Sequence, residues 1–430
     1  MAARLGAGQL LAYGIFGLPL AMAALPLYVH LPKFYGGELG MSLALVGGIL
    51  LGARLLDALQ DPLLGYLSDR ACGRKRFVLA SLPLLGAGML GLFNPPALTR
   101  DALAVWLLAC LMVVYVGFSM ASISYQAWGA QLSADRDERT RVTASRESFT
   151  LIGVVAAAAL PALLGSGGAE QLSRFAMLFV LLLAACAALT LWLSPEVAAP
   201  PRPAGGVFAA LTQPLGNAAF RRLLLVFLLN GIASAIPATL VLFFMSDVLH
   251  LGERAGLFLA LYFVSGAAGM PLWVALARRY GKRATWSGAM LLSVAAFAWA
   301  YGLGPGDAAA YALVCVLSGA ALGADLALPP SLLADAMDED AQACAARSEG
   351  AYFGLWNLAT KLNLALAAGI SLPLVGALGY VPGAAGGAAA LSFVYCVVPC
   401  IFKLAAAAAL RGAGGDARRA MSLTQTGNPA

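Results

Sequence analysis

Three ionisable side chains fall on one face of an otherwise apolar segment. Arg54, Asp57 and Asp61 lie in the run that ends at Pro62, and their spacing of three and four residues places them on one side of an α-helix. Two carboxylates one turn apart repel each other when both are ionised, so such a pair favours a bound cation or a shared proton. The alternative is an internal ion pair that only locks helix packing, and the second acid argues against it.

Two further charges interrupt apolar segments later in the chain. Lys361 needs a carboxylate partner if it is buried, and either Asp325 or the aspartates of the first segment could supply it. Asp325 precedes Pro329 and Pro330, which free backbone carbonyls and bend a helix. Asp325 could therefore line a ligand site or form part of a gate, or it could simply pair with Lys361. The sequence leaves both readings open.

These charges stand out because the chain of 430 residues is 61% hydrophobic and only 11% charged. A soluble globule cannot hide so much apolar side chain, so the composition excludes a water-soluble enzyme and a disordered or nucleic-acid-binding chain. The seven cysteines and two histidines suit neither a secreted disulfide framework nor a His-rich metal site. We therefore expect no enzyme activity, no cofactor, no nucleic-acid partner and no metal beyond a Na⁺ ion.

Twelve segments are apolar and long enough to cross a bilayer as helices. They lie at about 8–31, 41–66, 77–95, 102–130, 148–165, 175–194, 221–247, 255–277, 284–303, 309–333, 350–373 and 383–408. Most of the 27 lysines and arginines, Lys403 among them, fall on one side if both chain ends are cytoplasmic, as the positive-inside rule requires. We predict an integral protein of the bacterial inner (plasma) membrane, monomeric and surrounded by lipid.

A connection rich in proline and glycine divides these spans six and six. The predicted parts are an N-terminal six-helix bundle at 1–194, a cytoplasmic linker at 195–220, a C-terminal six-helix bundle at 221–410 and a disordered cytoplasmic tail at 411–430. The loop after span 2 recurs weakly after span 8, at 277–283, without its acid. Two parallel six-helix repeats are the plan of major facilitator transporters.

The loop after span 2 is similar to the signature loop of that superfamily. The residues that carry the similarity, and that we expect to act during conformational change, are Gly65, Asp69, Arg70, Gly73 and Arg74. The plainer alternative is a basic loop that only sets the orientation of the chain.

Aromatic and amide side chains near the intramembrane charges could line a cavity. Aromatic faces stack on sugar rings, and amides form hydrogen bonds with hydroxyl groups. Two adjacent pairs, Tyr125 with Gln126 and Trp356 with Asn357, are the better candidates, although most Trp and Tyr residues of membrane proteins are interfacial or in the core.

The runs at 53–62, 124–146 and 347–380 together resemble the glycoside–pentoside–hexuronide:cation symporters, the family of the melibiose permease. The resemblance implies that Asp57 and Asp61 form the site of the coupling cation, to which we add Gln60 and Ser119. It also implies that Lys361 lies beside the same cavity and Arg146 at its cytoplasmic side. Arg54, Asp325 and the two aromatic–amide pairs complete the expected substrate-binding or coupling set.

The chain departs from the melibiose-type members of that family. Their two sugar-binding acids are replaced by Pro19 and Ser122, and Gln60 stands beside the second span-2 acid in place of asparagine. The second change favours H⁺ over Na⁺, because proton binding needs only a carboxylate. The sequence thus predicts a cation-coupled secondary transporter that imports a small polar solute, such as a glycoside or related sugar, by alternating access. The alternatives are a proton-coupled exporter of amphipathic compounds and a membrane sensor or scaffold with a transporter fold.

Overall fold

A computed structural model describes residues 5–70, 73–133, 135–164, 169–195, 207–344, 349–380 and 387–425, and within these ranges the regular structure is entirely helical. The chain forms two compact units. The N-terminal unit comprises Met1–Pro214 and Met337–Leu358, and the C-terminal unit comprises Leu215–Ala336 and Ala359–Ala430. The predicted bundle and linker boundaries themselves remain predictions.

Helices α1 to α7 belong to the N-terminal unit, and α8 crosses its boundary at Pro214. Their bounds are Ala7–Gly14, Gly17–Lys33, Leu43–Arg70, Arg74–Phe93, Arg100–Gln131, Arg136–Leu163, Ala169–Leu193 and Val207–Gly216. Helix α4 packs along α5, α2 along α6, and α3 along α5. Glycines permit the close approach of α4 to α5, since a Cβ atom on Gly117 would lie 2.7 Å from the amide nitrogen of Leu85.

The helices that follow are α9 to α15. Their bounds are Ala218–Phe243, Ala255–Tyr280, Lys282–Ala300, Ala308–Cys344, Glu349–Ala377, Ala388–Ser392 and Val398–Gln425. In the C-terminal unit α15 packs along α9 and α11, and α10 along α11. Single π-helical turns follow α2 and α9 and precede α15, at Phe34–Glu38, Phe244–Val248 and Phe393–Val397.

Within the described ranges, nine helical stretches are long and apolar enough to cross a membrane. Three further helices, α3, α6 and α11, cover the predicted spans at 41–66, 148–165 and 284–303 but are not among the nine. Helix α3 carries Arg54, Asp57 and Asp61 in its middle, and the first turns of α6 are rich in charge. The count of twelve spans stays a prediction.

Three predicted segments differ from the observed helices in where helix is present. Span 1 is divided into α1 and α2 by a turn at 15–16, and helix α8 lies inside the predicted linker. The last helix continues to Gln425, into the segment predicted as a tail.

Candidate functional site

Asp57 lies in the middle of α3 and is buried, with 1% of its surface exposed. Its Oδ1 atom accepts hydrogen bonds from the Gln60 amide at 3.1 Å and from the Ser119 hydroxyl of α5 at 3.3 Å. Arg54 Nη1 lies 3.6 Å from Asp57 Oδ2. The helical spacing brings Arg54 and Gln60 to this carboxylate, whereas the packing of α5 on α3 adds Ser119. Two residues of the predicted cation set, Gln60 and Ser119, thus contact Asp57, and Arg54 of the predicted coupling set lies beside it.

Asp61 lies one turn further along α3 and is fully buried. Pro62 follows it and has no N–H to donate to the carbonyl of Ala58, so the helix is locally weakened beside the acid. The first turns of α13 approach the backbone here, because a Cβ atom on Gly354 would lie 2.7 Å from the carbonyl oxygen of Asp61. The second acid therefore sits where two helices touch through their backbones.

Gln126 and Asn357 form a polar cluster with Ser122. The Gln126 amide nitrogen donates to Ser122 Oγ at 2.8 Å and to Asn357 Oδ1 at 3.2 Å, and Asn357 Nδ2 lies 3.5 Å from Ser122 Oγ. All three side chains are half-buried. The structure brings together two predicted residues that are 231 positions apart, and it adds the serine that replaces the acid of span 4. The cluster offers amide and hydroxyl groups to a polar solute.

Tyr125 has a different environment from its neighbour Gln126. Its side chain is buried against Phe16 and Tyr13, whose ring centroid lies 4.5 Å away. The Tyr125 hydroxyl donates to the carbonyl of Tyr13, and the Tyr13 hydroxyl donates to the carbonyl of Tyr125 at 2.8 Å. This reciprocal pair ties α1 to α5. The contacts of Tyr125 are those of a core residue, and its predicted contact with substrate stays a prediction.

Arg146 of α6 is buried and forms an ion pair with Glu147. The Arg146 Nε atom donates to Glu147 Oε1 at 2.9 Å. The Arg146 backbone carbonyl lies against α2, since a Cβ atom on Gly17 would be 2.7 Å away. Glu147 was not among the predicted site residues, although it is adjacent to Arg146 in the sequence. Trp356 is also buried, with 3% of its surface exposed.

The last turn of α3 provides a carboxylate cap for the first turn of α13. Asp69 Oδ1 accepts from the Gly350 amide at 2.7 Å, Oδ2 accepts from the Ala351 amide at 2.9 Å, and Arg74 Nη2 donates to Oδ1 at 2.6 Å. Arg74 Nη2 also lies 3.4 Å from Glu349 Oε2. Asp69 lies beyond the predicted span, and burial raises the pKa of its carboxyl while the Arg74 guanidinium opposes that rise. A negative charge at a helix N-terminus is favourable.

The other residues predicted to form the signature loop lie at the end of α3 or just before α4. A Cβ atom on Gly65 would lie 2.2 Å from the Gly350 carbonyl oxygen, so only glycine permits this approach. Gly73 has a φ of 111° and precedes α4, in a region of backbone space that favours glycine. Arg70 is exposed, and its guanidinium carbon lies 4.8 Å from the ring centre of Tyr66.

The loop after span 8 repeats the backbone conformation of the loop after span 2 at one glycine. Gly281 precedes α11 with a φ of 83°, as Gly73 precedes α4. Lys282, the next residue, is buried and pairs with Asp335 of α12 at 2.7 Å. The second copy of the loop lacks its own acid, and a helix distant in sequence supplies one. No local signal in the sequence identifies Asp335.

Asp325 of α12 pairs with Lys403 of α15, at 2.8 Å between Nζ and Oδ2. Asp325 Oδ1 accepts from the Trp286 indole N–H at 2.8 Å, and Lys403 Nζ also donates to Asn230 Oδ1 at 2.9 Å. Lys403 was predicted among the basic residues on the cytoplasmic side, but it lies within the apolar stretch Ala388–Arg411 and only 3% of its surface is exposed. Its position within the apolar segment 383–408 was the available signal.

Lys361 of α13 is half-buried and belongs to the C-terminal unit. The aspartates of α3 belong to the N-terminal unit. The predicted relation of Lys361 to those acids, and its role in coupling, stay predictions.

A sequence model of the family described as MFS/sugar transport protein matches residues 10–411. The chain belongs to this family. As a member of the major facilitator superfamily it is an integral membrane transporter and not an enzyme, and the resemblance to sugar:cation symporters is confirmed. Its general activity is secondary transport of a small-molecule substrate.

Relatives of this family member include several transporters. An uncharacterized symporter of Synechocystis, sll1374, is 23% identical over 87% of this chain and 86% of its own length. The mouse sphingosine-1-phosphate transporter MFSD2B is 24% identical over 84% of this chain and 78% of its own. A putative glycoside/cation symporter of Escherichia coli, YagG, is 27% identical over 35% of this chain and 34% of its own.

Solved structures have the same fold at low sequence identity. A bacterial homologue of the iron transporter ferroportin, in an outward-facing state, matches with a TM-score of 0.70 and 16% identity over 94% of this chain and 98% of its own. The E. coli fucose:proton symporter FucP matches with a TM-score of 0.69 and 13% identity over 93% and 98%. These matches confirm the predicted all-helical major facilitator fold.

Proposed function

We propose that this protein is a cation-coupled symporter that imports a small polar solute, with H⁺ as the coupling ion and with Asp57 and Asp61 as its carriers. The observation that carries the proposal is the pair of buried carboxylates one turn apart on α3. Two adjacent buried anions are costly, so a bound proton or cation stabilises them. Neutralisation lowers the cost of moving the site through the transport cycle, and this couples the two fluxes.

The surroundings of Asp57 disfavour a Na⁺ ion as the coupling cation. The groups directed at its carboxylate include the Gln60 N–H, the Ser119 O–H and the Arg54 guanidinium. All three are hydrogen-bond donors. A hard metal cation such as Na⁺ requires a shell of oxygen acceptors, and donors that already point at the carboxylate compete with it. A proton needs only one carboxylate oxygen.

The cluster of Ser122, Gln126 and Asn357 supports a polar solute. Its amide and hydroxyl groups can exchange their mutual hydrogen bonds for bonds to the hydroxyls of a sugar, so binding leaves no buried polar group unpaired. The name of the E. coli relative, a putative glycoside/cation symporter, agrees with this substrate class. We therefore expect the substrate among monosaccharides and glycosides.

Solute-evoked proton movement in proteoliposomes tests the proposal directly. A panel of monosaccharides and glycosides is added to vesicles that contain the protein and a trapped pH-sensitive dye, with and without Na⁺ and with and without an imposed pH gradient. We expect one solute class to acidify the lumen in the absence of Na⁺. The variant Asp57→Asn should lose concentrative uptake and retain some binding or exchange.

The matched control is Asp101→Asn, which removes an exposed acid in the first turn of α5. This variant should transport as the unmodified protein does. Uphill transport at the unmodified rate in Asp57→Asn would overturn the assignment of that carboxylate. A strict requirement for Na⁺ would overturn the choice of proton.

A further inference from the structure

The C-terminal unit contains a cavity of about 290 Å³ whose described lining residues all belong to that unit. Helices α9, α10, α11 and α12 contribute to its wall, as do Tyr395 and Lys403. The described residues of α13 do not line it. The cavity is thus built separately from the polar cluster that the proposed function uses.

The two ends of this cavity differ in chemistry. One end presents the ion pair of Lys403 and Asp325 with the hydroxyl of Ser234. The body of the wall is aromatic and aliphatic, with Phe258 and Phe297 among its side chains. A cavity with one charged end and an apolar body is complementary to an amphipathic molecule. Its volume lies just below the range of roughly 300–1,000 Å³ typical of drug-sized ligands, which indicates a small occupant.

The hydrogen-bond donors and acceptors at the charged end indicate which polar group a ligand would carry. The ammonium of Lys403 has three N–H donors, and two are directed at Asp325 and Asn230. Asp325 is instead surrounded by donors, since Trp286, Lys403 and Ser234 all face it, the last at 3.5 Å. Among the described residues, the spare capacity at this end is the third N–H of the ammonium, which an acceptor oxygen of a ligand satisfies. An anionic oxygen makes the stronger, charge-assisted bond to it.

We propose that this cavity binds a small amphipathic carboxylic acid, with the carboxylate at Lys403 and the aliphatic or aromatic body against the apolar wall. The inference goes beyond the proposed function, because the ligand class differs and the cavity residues lie outside both the Asp57 site and the cluster of Ser122, Gln126 and Asn357. The buried ion pair is then a preorganised receptor: Asp325 and Asn230 hold the ammonium in place before the ligand arrives, which reduces the ordering cost of binding.

A set of three probes with one body and different ends tests the proposal. Phenylbutyrate, phenylbutanol and phenylbutylamine are titrated into the purified full-length protein, and binding is followed by calorimetry. We expect phenylbutyrate to bind at least about tenfold more tightly than the alcohol or the amine, the factor that a charge-assisted hydrogen bond provides. Equal affinities for all three would overturn the proposal and indicate apolar partitioning alone.

Variants place the binding at this cavity. Lys403→Met alone leaves Asp325 without its cation and could unfold, so the informative variant is the pair Lys403→Met with Asp325→Asn. In that protein the acid should lose its advantage while phenylbutanol binds as before. A filling variant, Ala238→Trp, should abolish binding of all three probes, because Ala238 lines the cavity.

The control is Arg254→Met, which removes an exposed cation of the same unit and should leave the tenfold preference intact. The proposal would be overturned if the double variant Lys403→Met with Asp325→Asn kept the preference for the acid, or if Ala238→Trp still bound the probes. Either result would mean that the acid binds elsewhere. The assay measures binding alone, so its outcome is independent of the proton-coupling experiment on Asp57. The two proposals can therefore fail separately.

Discussion

Asp69 Oδ1 lies 2.7 Å from the backbone nitrogen of Gly350, so a carboxylate at the end of α3 caps the first turn of α13. The two residues are 281 positions apart, and both belong to the N-terminal unit. Charge-assisted bonds to a helix N-terminus are among the stronger ones in proteins. The segment that stands out in the sequence by its glycines and charges therefore joins the end of α3 to the start of α13 by hydrogen bonds.

Removal of this cap should destabilise the protein. For Asp69→Ala we expect a loss of about 2 kcal/mol in the free energy of unfolding, the order of charge-assisted hydrogen bonds, because the Gly350 and Ala351 amides lose their acceptor. Thermal unfolding of the purified protein measures the change. Asp101→Ala, at an exposed position, should be within about 0.5 kcal/mol of the unmodified protein. Equal unfolding temperatures for both variants would contradict the assigned role.

A larger side chain at Gly65 should destabilise the protein, because α3 and α13 are in close contact at this residue. In Gly65→Val the new side chain must displace the backbone of Gly350, whose carbonyl oxygen would lie 2.2 Å from a Cβ atom. Overpacking of this kind costs about 1–3 kcal/mol or more. Gly48 lies in the same helix with open space around it, so Gly48→Ala should be tolerated. Unfolding curves of the two variants compare them, and similar stabilities would show that the contact is easily relaxed.

The ion pair in the C-terminal unit should show strong coupling between its partners. Lys403→Met leaves the Asp325 carboxylate buried without a cation, and the loss of one partner of a buried pair costs about 3–5 kcal/mol. Lys403→Met with Asp325→Asn removes both charges and should recover most of that stability. A double-mutant cycle from thermal unfolding gives the coupling energy. Additive effects would mean that the two charges act independently.

The polar cluster of the N-terminal unit should set solute affinity. Gln126→Ala and Asn357→Ala each remove an amide that contacts the other, so we expect each variant to raise KM by about tenfold. The double variant should cost less than the two changes added together, because the residues share a contact. Uptake of the solute identified by the panel provides the measurement. Gln9→Ala, at an exposed position, should leave KM unchanged, and an unchanged KM in the cluster variants would exclude these amides from binding.

Local sequence predicted those parts of the site that depend on helical periodicity. The spacing of Arg54, Asp57 and Gln60 places them on neighbouring positions of one helix, and their contacts at 3.6 and 3.1 Å follow from that periodicity. The segments of high hydropathy likewise indicated where helices lie, because a chain in lipid must satisfy its backbone internally. Neither inference needs knowledge of which helices are neighbours.

The tertiary structure decided the partners that come from distant parts of the chain. Asp325 could have paired with Lys361 on sequence grounds, yet its ammonium partner at 2.8 Å is Lys403. Lys282 likewise finds Asp335, 53 residues away. Composition and periodicity by themselves determined a helical membrane protein with few charges inside its apolar segments. Which charges meet depends on how side-chain shapes interlock between helices, and that packing is a property of the whole fold and not of local spacing.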